Sequence, residues 1–245
     1  VLFRSKPVEF GGSLGRNEAT GYGVAVTVRE AAKKMGMDMT HAKIAVQGFG
    51  NVGAYTVKNI QKLGGTVVAV AEWAKEVGPY AIYKEDGLDF QAMWDYRAEK
   101  GNLVDFPGSK MISMDEFWSA QVDVVVPAAL ENSIDAAVAE KIQAKLVCEA
   151  ANGPTTPEGD EVLNRKGIIL TPDILTNAGG VTVSYFEWVQ NLYGYYWSEA
   201  EVEAKEDEAM VKAFEALWAI KEEYGVTVRE AAYMHSVKRV ATAMK

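Results

Sequence analysis

The chain has 245 residues, 49% of them apolar and 24% charged, with a formal net charge of -9. That composition supports one large folded α/β body and excludes a disordered chain. No window reaches the ~18 uninterrupted apolar residues of a membrane span, and the acidic balance argues against nucleic acid, which requires a basic face.

In chain order, Val1-Leu2-Phe3-Arg4-Ser5-Lys6 has neither an apolar core nor a small-residue cleavage site, so no signal peptide is expected there. Without an initiator Met, the start reads as a trimmed piece of a longer protein. Val24, Val28, Ala31, Ala32 and Met35 recur at helical spacing, and Gly36 is placed to stop that helix. Strands are expected at Lys43–Gln47, Thr66–Ala71, Asp123–Val126, Leu146–Glu149 and Ile168–Thr171, with Pro79–Lys84 as a hairpin-like arm. Between them the pattern predicts helices at Asn51–Leu63, Asp89–Lys100, Ser133–Ile142 and Pro157–Lys166. This alternation is that of βαβ units: a Rossmann-like, doubly wound and mostly parallel sheet covered on both faces. From Gly180 onward the pattern is helical. Met210, Ala213, Phe214, Leu217 and Trp218 form one stripe; Thr227-Val228-Arg229-Glu230 is a capping box opening a last helix striped by Tyr233, Val237, Val240, Ala241 and Met244. That last face has no later element to cover it. The acids, densest in Glu199–Glu208, read as a solvated face, and the aromatics Tyr185, Phe186, Trp188, Tyr193, Tyr195, Tyr196 and Trp197 read as packing of a domain surface.

The segment richest in chemistry is Gly48-Phe49-Gly50-Asn51-Val52-Gly53, which follows a strand and opens a helix. In a dinucleotide fingerprint the first glycine makes the tight turn, the second lets backbone approach a pyrophosphate, and the third lets helix and sheet pack closely. The helix N-terminus then presents unpaired N–H groups and the positive end of its dipole. Val67–Ala71 leads to Glu72, nineteen residues beyond Gly53, where a carboxylate can accept both ribose hydroxyls of an adenosine. The same charge would repel the 2′-phosphate of NADP, no arginine follows nearby in the sequence, and Lys75 is the one nearby cation; NAD is therefore expected over NADP.

Further polar turns follow later strands. In Val126–Asn132 the small residues Ala128 and Ala129 would let a flat ring or ribose come close; Glu149–Thr155 and Leu175–Ser184 carry Asn152 and Asn177, whose carboxamides suit a nicotinamide ribose or amide. Taken singly, each asparagine reads as an ordinary turn residue sooner than as a ligand contact. Cys148 sits in an apolar run and reads as a buried core residue in a reducing, cytoplasmic setting; His41 and His235 are too far apart to suggest a metal. No Ser/His/Asp set, P-loop or lysine in a pKa-lowering setting is visible, so no catalytic residue is assigned.

Taken together, Gly11–Gly21, Gly48–Gly53, Pro127–Asn132, Glu149–Thr155 and Asn177–Trp188 resemble glutamate dehydrogenase, in its C-terminal, cofactor-binding half, over Lys6 to about Met244. Ala71-Glu72-Trp73 is similar to the NAD-dependent enzymes of anaerobic bacteria. The resemblance implies reversible oxidative deamination of L-glutamate to 2-oxoglutarate and ammonia, with hydride passing to NAD. It implies that Thr20 contacts the nicotinamide amide and that Gly50, Asn51 and Val52 cradle the pyrophosphate. Glu72 would then hold the adenosine ribose, Ala128, Asn152 and Asn177 would line the nicotinamide side, and Ser184 would reach the substrate's side-chain carboxylate. The similar leucine and phenylalanine dehydrogenases carry an apolar residue where Ser184 falls.

The family's catalytic lysine and aspartate belong to an N-terminal domain absent from this sequence, so the isolated chain is expected to bind cofactor without turnover. Residues 1–200 would then form the dinucleotide domain, and 201–245 would be helices packing partly on the missing domain. The complete family enzyme is a homohexamer. A cofactor domain for an apolar amino acid, or a Rossmann module that binds no cofactor, are the alternatives.

Overall fold

The computed structural model describes residues 5–244, so most of the Val1–Lys6 segment lies outside the described residues. The Val- and Ile-rich runs form one seven-stranded sheet of β1 (Lys43–Gln47), β2 (Thr66–Ala74), β3 (Gly78–Tyr83), β4 (Lys110–Ile112), β5 (Val124–Pro127), β6 (Leu146–Cys148) and β7 (Ile169–Thr171). Their order is β4-β3-β2-β1-β5-β6-β7. β2, β1, β5, β6 and β7 are parallel, whereas β3 runs antiparallel to both β2 and β4 at one edge. The helices are α1 (Ala19–Lys34), α2 (Asn51–Lys62), α3 (Phe90–Lys100), α4 (Met114–Trp118), α5 (Ala136–Lys141), α6 (Pro157–Arg165), α7 (Asp173–Thr176), α8 (Gly179–Tyr193), α9 (Glu199–Tyr224) and α10 (Val228–Ala243).

Strand alternation feeds a core on each face of the sheet. Ile44 and Val46, Val124 and Val126, and Leu146 and Cys148 point to the face covered by α1, α2, α9 and the start of α10. Ala45, Val125 and Val147 point to the other, under α4, α5 and α6. A register shift between β1 and β2 at Ile44/Ala45 inserts Val68, which is why Val67 and Val70 can share one face while Val68, Ala69 and Ala71 serve the other. No helix of the described residues is long and apolar enough to cross a membrane.

Several boundaries differ from the sequence expectation. β2 continues to Ala74, because beyond Ala71, where pairing with β1 ends, it is held by β3. β4, α4 and α7 were not expected; each is too short to show a period. The helix expected from Ser133 begins at Ala136, since Asp135 caps it and an isolated bridge to Thr155 holds Ile134 extended. The acidic run is not wholly solvated: Glu206 is 2% exposed. Of the aromatic cluster, Phe186 and Trp197 stack edge-on and pack inward, while Tyr185, Trp188, Tyr193, Tyr195 and Tyr196 are exposed, on a face the described residues leave open. Tyr233, Val237, Val240 and Met244 of the last helical stretch are likewise exposed.

Candidate functional site

Chain order reverses between β1 and β5, since β1 leads to β2 on one side and β5 continues to β6 on the other. Loops leaving the carboxyl ends of two such strands diverge and leave a crevice between them. Here those loops are the Gly48–Gly53 turn and the segment from Ala128 to Glu131.

The turn's glycines have separable causes. Gly48 has φ +97°, a left-handed conformation, and its N–H donates to the Ala71 carbonyl at 2.6 Å. A Cβ on Gly53 would lie 1.9 Å from the Gly48 carbonyl oxygen, so helix and turn can meet only if that Cβ is absent. Gly50 is different. Its backbone is ordinary (φ -70°), and a Cβ there would meet nothing within 4 Å. The fold does not require this glycine; what it provides is open space in front of the α2 N-terminus. That terminus has no side-chain cap, nor do those of α1, α7 and α8, whereas α3, α4, α5, α6, α9 and α10 are each capped. Uncapped first turns leave N–H groups and positive dipole ends for an anion. Asn51 is partly engaged, its amide donating to the Asn17 carbonyl at 3.0 Å.

Glu72 lies beside this turn, one oxygen accepting from the Phe49 N–H at 2.8 Å. Its other oxygen accepts from Arg97 Nε at 3.3 Å. No arginine follows Glu72 nearby in the sequence, yet Arg97, twenty-five residues further along, is brought back to it by α3 packing on α2.

A cavity of about 670 Å³ opens next to the turn. It brings together Thr20, Val52, Ala128, Ala129, Asn152, Asn177 and Ser184 from six separate segments. Gly48, Gly50, Asn51, Gly53 and Glu72 form the adjoining turn rather than the cavity wall. The Asn177 side-chain NH2 donates to Asn152 Oδ1 at 2.8 Å and to the Ala150 carbonyl at 3.3 Å, so the two asparagines form a pair. Ser184 is 7% exposed; its hydroxyl donates to the Gly180 carbonyl at 2.9 Å and accepts from Arg16 Nε at 2.8 Å. Arg16 also lines the cavity, and sequence reasoning gave it no role. The only available signal was a cation within the Gly11–Gly21 stretch, since its partner is 168 residues away.

Two buried acids back this site. Glu149, 0% exposed at the end of β6, accepts from the Asp173 N–H at 2.9 Å and from Arg229 of α10 at 2.8 Å, tying both asparagine-bearing turns to the last helix. Glu206 of α9 abuts Gly179, where α8 begins, and among the described residues its Oε1 has no hydrogen-bond partner. Burial, with the neighbouring charge of Glu203 and Asp207, pushes its carboxyl up to about 9, against the opposing pull of Arg16. Cys148 is fully buried and burial pushes its thiol up to about 12, so it is an inert core residue. Among the described residues no group of three His, Cys, Asp or Glu side chains is arranged to hold a metal ion.

Residues 11–245 match the family model described as Glutamate/Leucine/Phenylalanine/Valine dehydrogenase. The NAD-specific glutamate dehydrogenase of Clostridioides difficile is 75% identical over 244 residues, covering 100% of this chain and 58% of that protein. The NAD-specific glutamate dehydrogenase of Peptoniphilus asaccharolyticus is 60% identical over 243 residues, 99% of this chain and 58% of that protein. The crystal structure of glutamate dehydrogenase from Peptoniphilus asaccharolyticus superposes with a TM-score of 0.88 at 56% identity, over 99% of this chain and 56% of that one. The hetero-hexameric glutamate dehydrogenase of Thermus thermophilus gives a TM-score of 0.90 at 32% identity, over 98% and 56%. The chain thus spans 58% of the length of these curated relatives.

Proposed function

Because the chain belongs to the glutamate, leucine, phenylalanine and valine dehydrogenase family, we propose that it is the NAD-binding part of a glutamate dehydrogenase. The open space at Gly50 and the uncapped start of α2 suit a pyrophosphate held by backbone N–H groups, with Asn51 and Val52 beside it. Glu72 takes the adenosine ribose. NAD, when bound, supplies the hydride acceptor. Around its nicotinamide, Thr20 offers a hydroxyl, the Asn152–Asn177 pair keeps one NH2 and one carbonyl oxygen for the ligand, and Ala128 and Ala129 let the ring lie close.

The observation that carries the reading is that this same cavity holds the Arg16–Ser184 pair. A hydroxyl set beside a guanidinium suits a carboxylate better than an aliphatic side chain, which favours glutamate over leucine or phenylalanine as substrate. Two domains of function follow: residues 1–200 bind the dinucleotide, and 201–245 carry α9 and α10, whose exposed stripe meets a further domain supplying the proton-transfer groups. The complete enzyme works in the cytoplasm as a homohexamer, deaminating L-glutamate reversibly.

The test is titration of this chain with NADH, followed by fluorescence. Binding is expected in the unaltered chain and lost in Gly50→Asp, which fills the open space with a carboxylate while leaving the backbone unstrained. No binding at millimolar NADH by the unaltered chain refutes the proposal.

A further inference from the structure

Glu72 selects the cofactor in company. Its carboxylate is 11% exposed and each oxygen already accepts one hydrogen bond, from the Phe49 N–H and from Arg97 Nε, with lone pairs left for a ribose hydroxyl. Arg97 is 37% exposed, and among the described residues its two terminal NH2 groups have no protein partner. Its guanidinium therefore stands at the rim of the ribose position with unused donors, in the fork geometry that matches a phosphate. α3 holds it there: Phe90 and Trp94 of α3 pack at tilted angles against Phe49 of the turn and Tyr55 of α2, so the arginine's helix is fixed to the phosphate turn itself.

Two opposed charges thus face whatever occupies the 2′-position of the adenosine. We infer that Arg97 is a second determinant of dinucleotide choice: a latent 2′-phosphate ligand that Glu72 holds in check. This rests on the reading of the Gly48–Gly53 turn and Glu72 as the cofactor site. With Glu72 ionised, the pair is neutral overall; a 2′-hydroxyl donates to the carboxylate, and a 2′-phosphate meets a carboxylate that already holds the arginine. Remove the carboxylate's charge and the guanidinium is released to the phosphate. Arg97 also offsets part of the repulsion that Glu72 exerts on NADP, so the native site discriminates less sharply than a lone glutamate would. NAD preference is then set by the pair, not by the acid alone.

The experiment is calorimetric titration of this chain, at one fixed ionic strength, with NAD and with NADP in parallel. Four variants are compared with the unaltered chain: Arg97→Met, Glu72→Gln, Glu72→Gln/Arg97→Met and Glu72→Gln/Arg97→Lys. Glu72→Gln is expected to bind NADP about tenfold tighter than the unaltered chain, as one charge-assisted contact is worth. The double variant with Met loses that gain, and the one with Lys keeps a substantial part. Arg97→Met alone raises the ratio of the NADP Kd to the NAD Kd. Circular dichroism and melting temperature establish that each variant is folded. Equal NADP affinity in Glu72→Gln and Glu72→Gln/Arg97→Met overturns the inference while NAD binding by the unaltered chain leaves the proposed function standing. No NAD binding by the unaltered chain removes both.

Discussion

Replacing Glu206 by Gln removes one ionisable group from the junction of α1, α8 and α9 with almost no change of shape. In the folded protein that carboxyl is raised from 4.5 to about 9, because it is 2% exposed and Glu203 and Asp207 add negative charge nearby. In the unfolded chain it ionises near its ordinary value. Folding therefore takes up a proton when the pH lies between about 4.5 and about 9, and stability falls as pH rises across that range. At about 1.4 kcal/mol per pH unit, this penalty is about 1 kcal/mol at pH 5 and about 3 kcal/mol at pH 7. Glu206→Gln escapes it, so the variant should gain that stability over the unaltered chain, with an advantage growing across this range. Urea denaturation of both proteins at pH 5, 6, 7 and 8, read by tryptophan fluorescence, measures the difference directly. An advantage that is the same at pH 5 and pH 8 refutes the reasoning, since a pure packing effect has no such slope. A variant less stable than the unaltered chain at pH 8 refutes it as well.

Arg229→Met leaves Glu149 as a buried carboxylate without its cation, and should cost about 3–5 kcal/mol in urea denaturation. Adding Glu149→Gln to it should recover a large part, because the cost is that of an unpaired charge and not of lost packing. In the complete enzyme, Ser184→Val removes the acceptor of Arg16 and the hydroxyl facing the cavity. Steady-state kinetics should show kcat/KM for glutamate falling by about 1–3 kcal/mol in transition-state terms, with leucine gaining relative to it.

Local chemistry explains which of these residues could be found without a structure. Gly48, Gly50 and Gly53 stand at fixed spacing between a strand and a helix, and Glu72 follows at the end of the next β1-paired run, so the fingerprint is contained in about thirty contiguous residues. Asn152, Asn177 and the alanines at 128 and 129 follow strands whose apolar runs announce themselves. The capping box at Thr227 and Glu230 was legible for the same reason: it closes within one turn. Arg16 and Arg97 were not. Each is tied to a partner far along the chain, Arg16 to Ser184 and Arg97 to Glu72, and a single sequence has no periodicity that links such pairs.

The acids make the same division. Glu199, Glu201 and Glu206 belong to one charged run and look alike in sequence, yet Glu201 is an exposed capping partner of Ser198 while Glu206 is closed off by α1 and α8. The sequence alone determined the α/β pattern, the glycine-rich turn and the acid that follows it, because those depend on the hydrophobic period and on short-range backbone geometry. Tertiary structure alone decided which distant charge lies against which carboxylate. Ion pairing and burial are set by the docking of helices, and that docking brings together residues between which the chain itself records no relation.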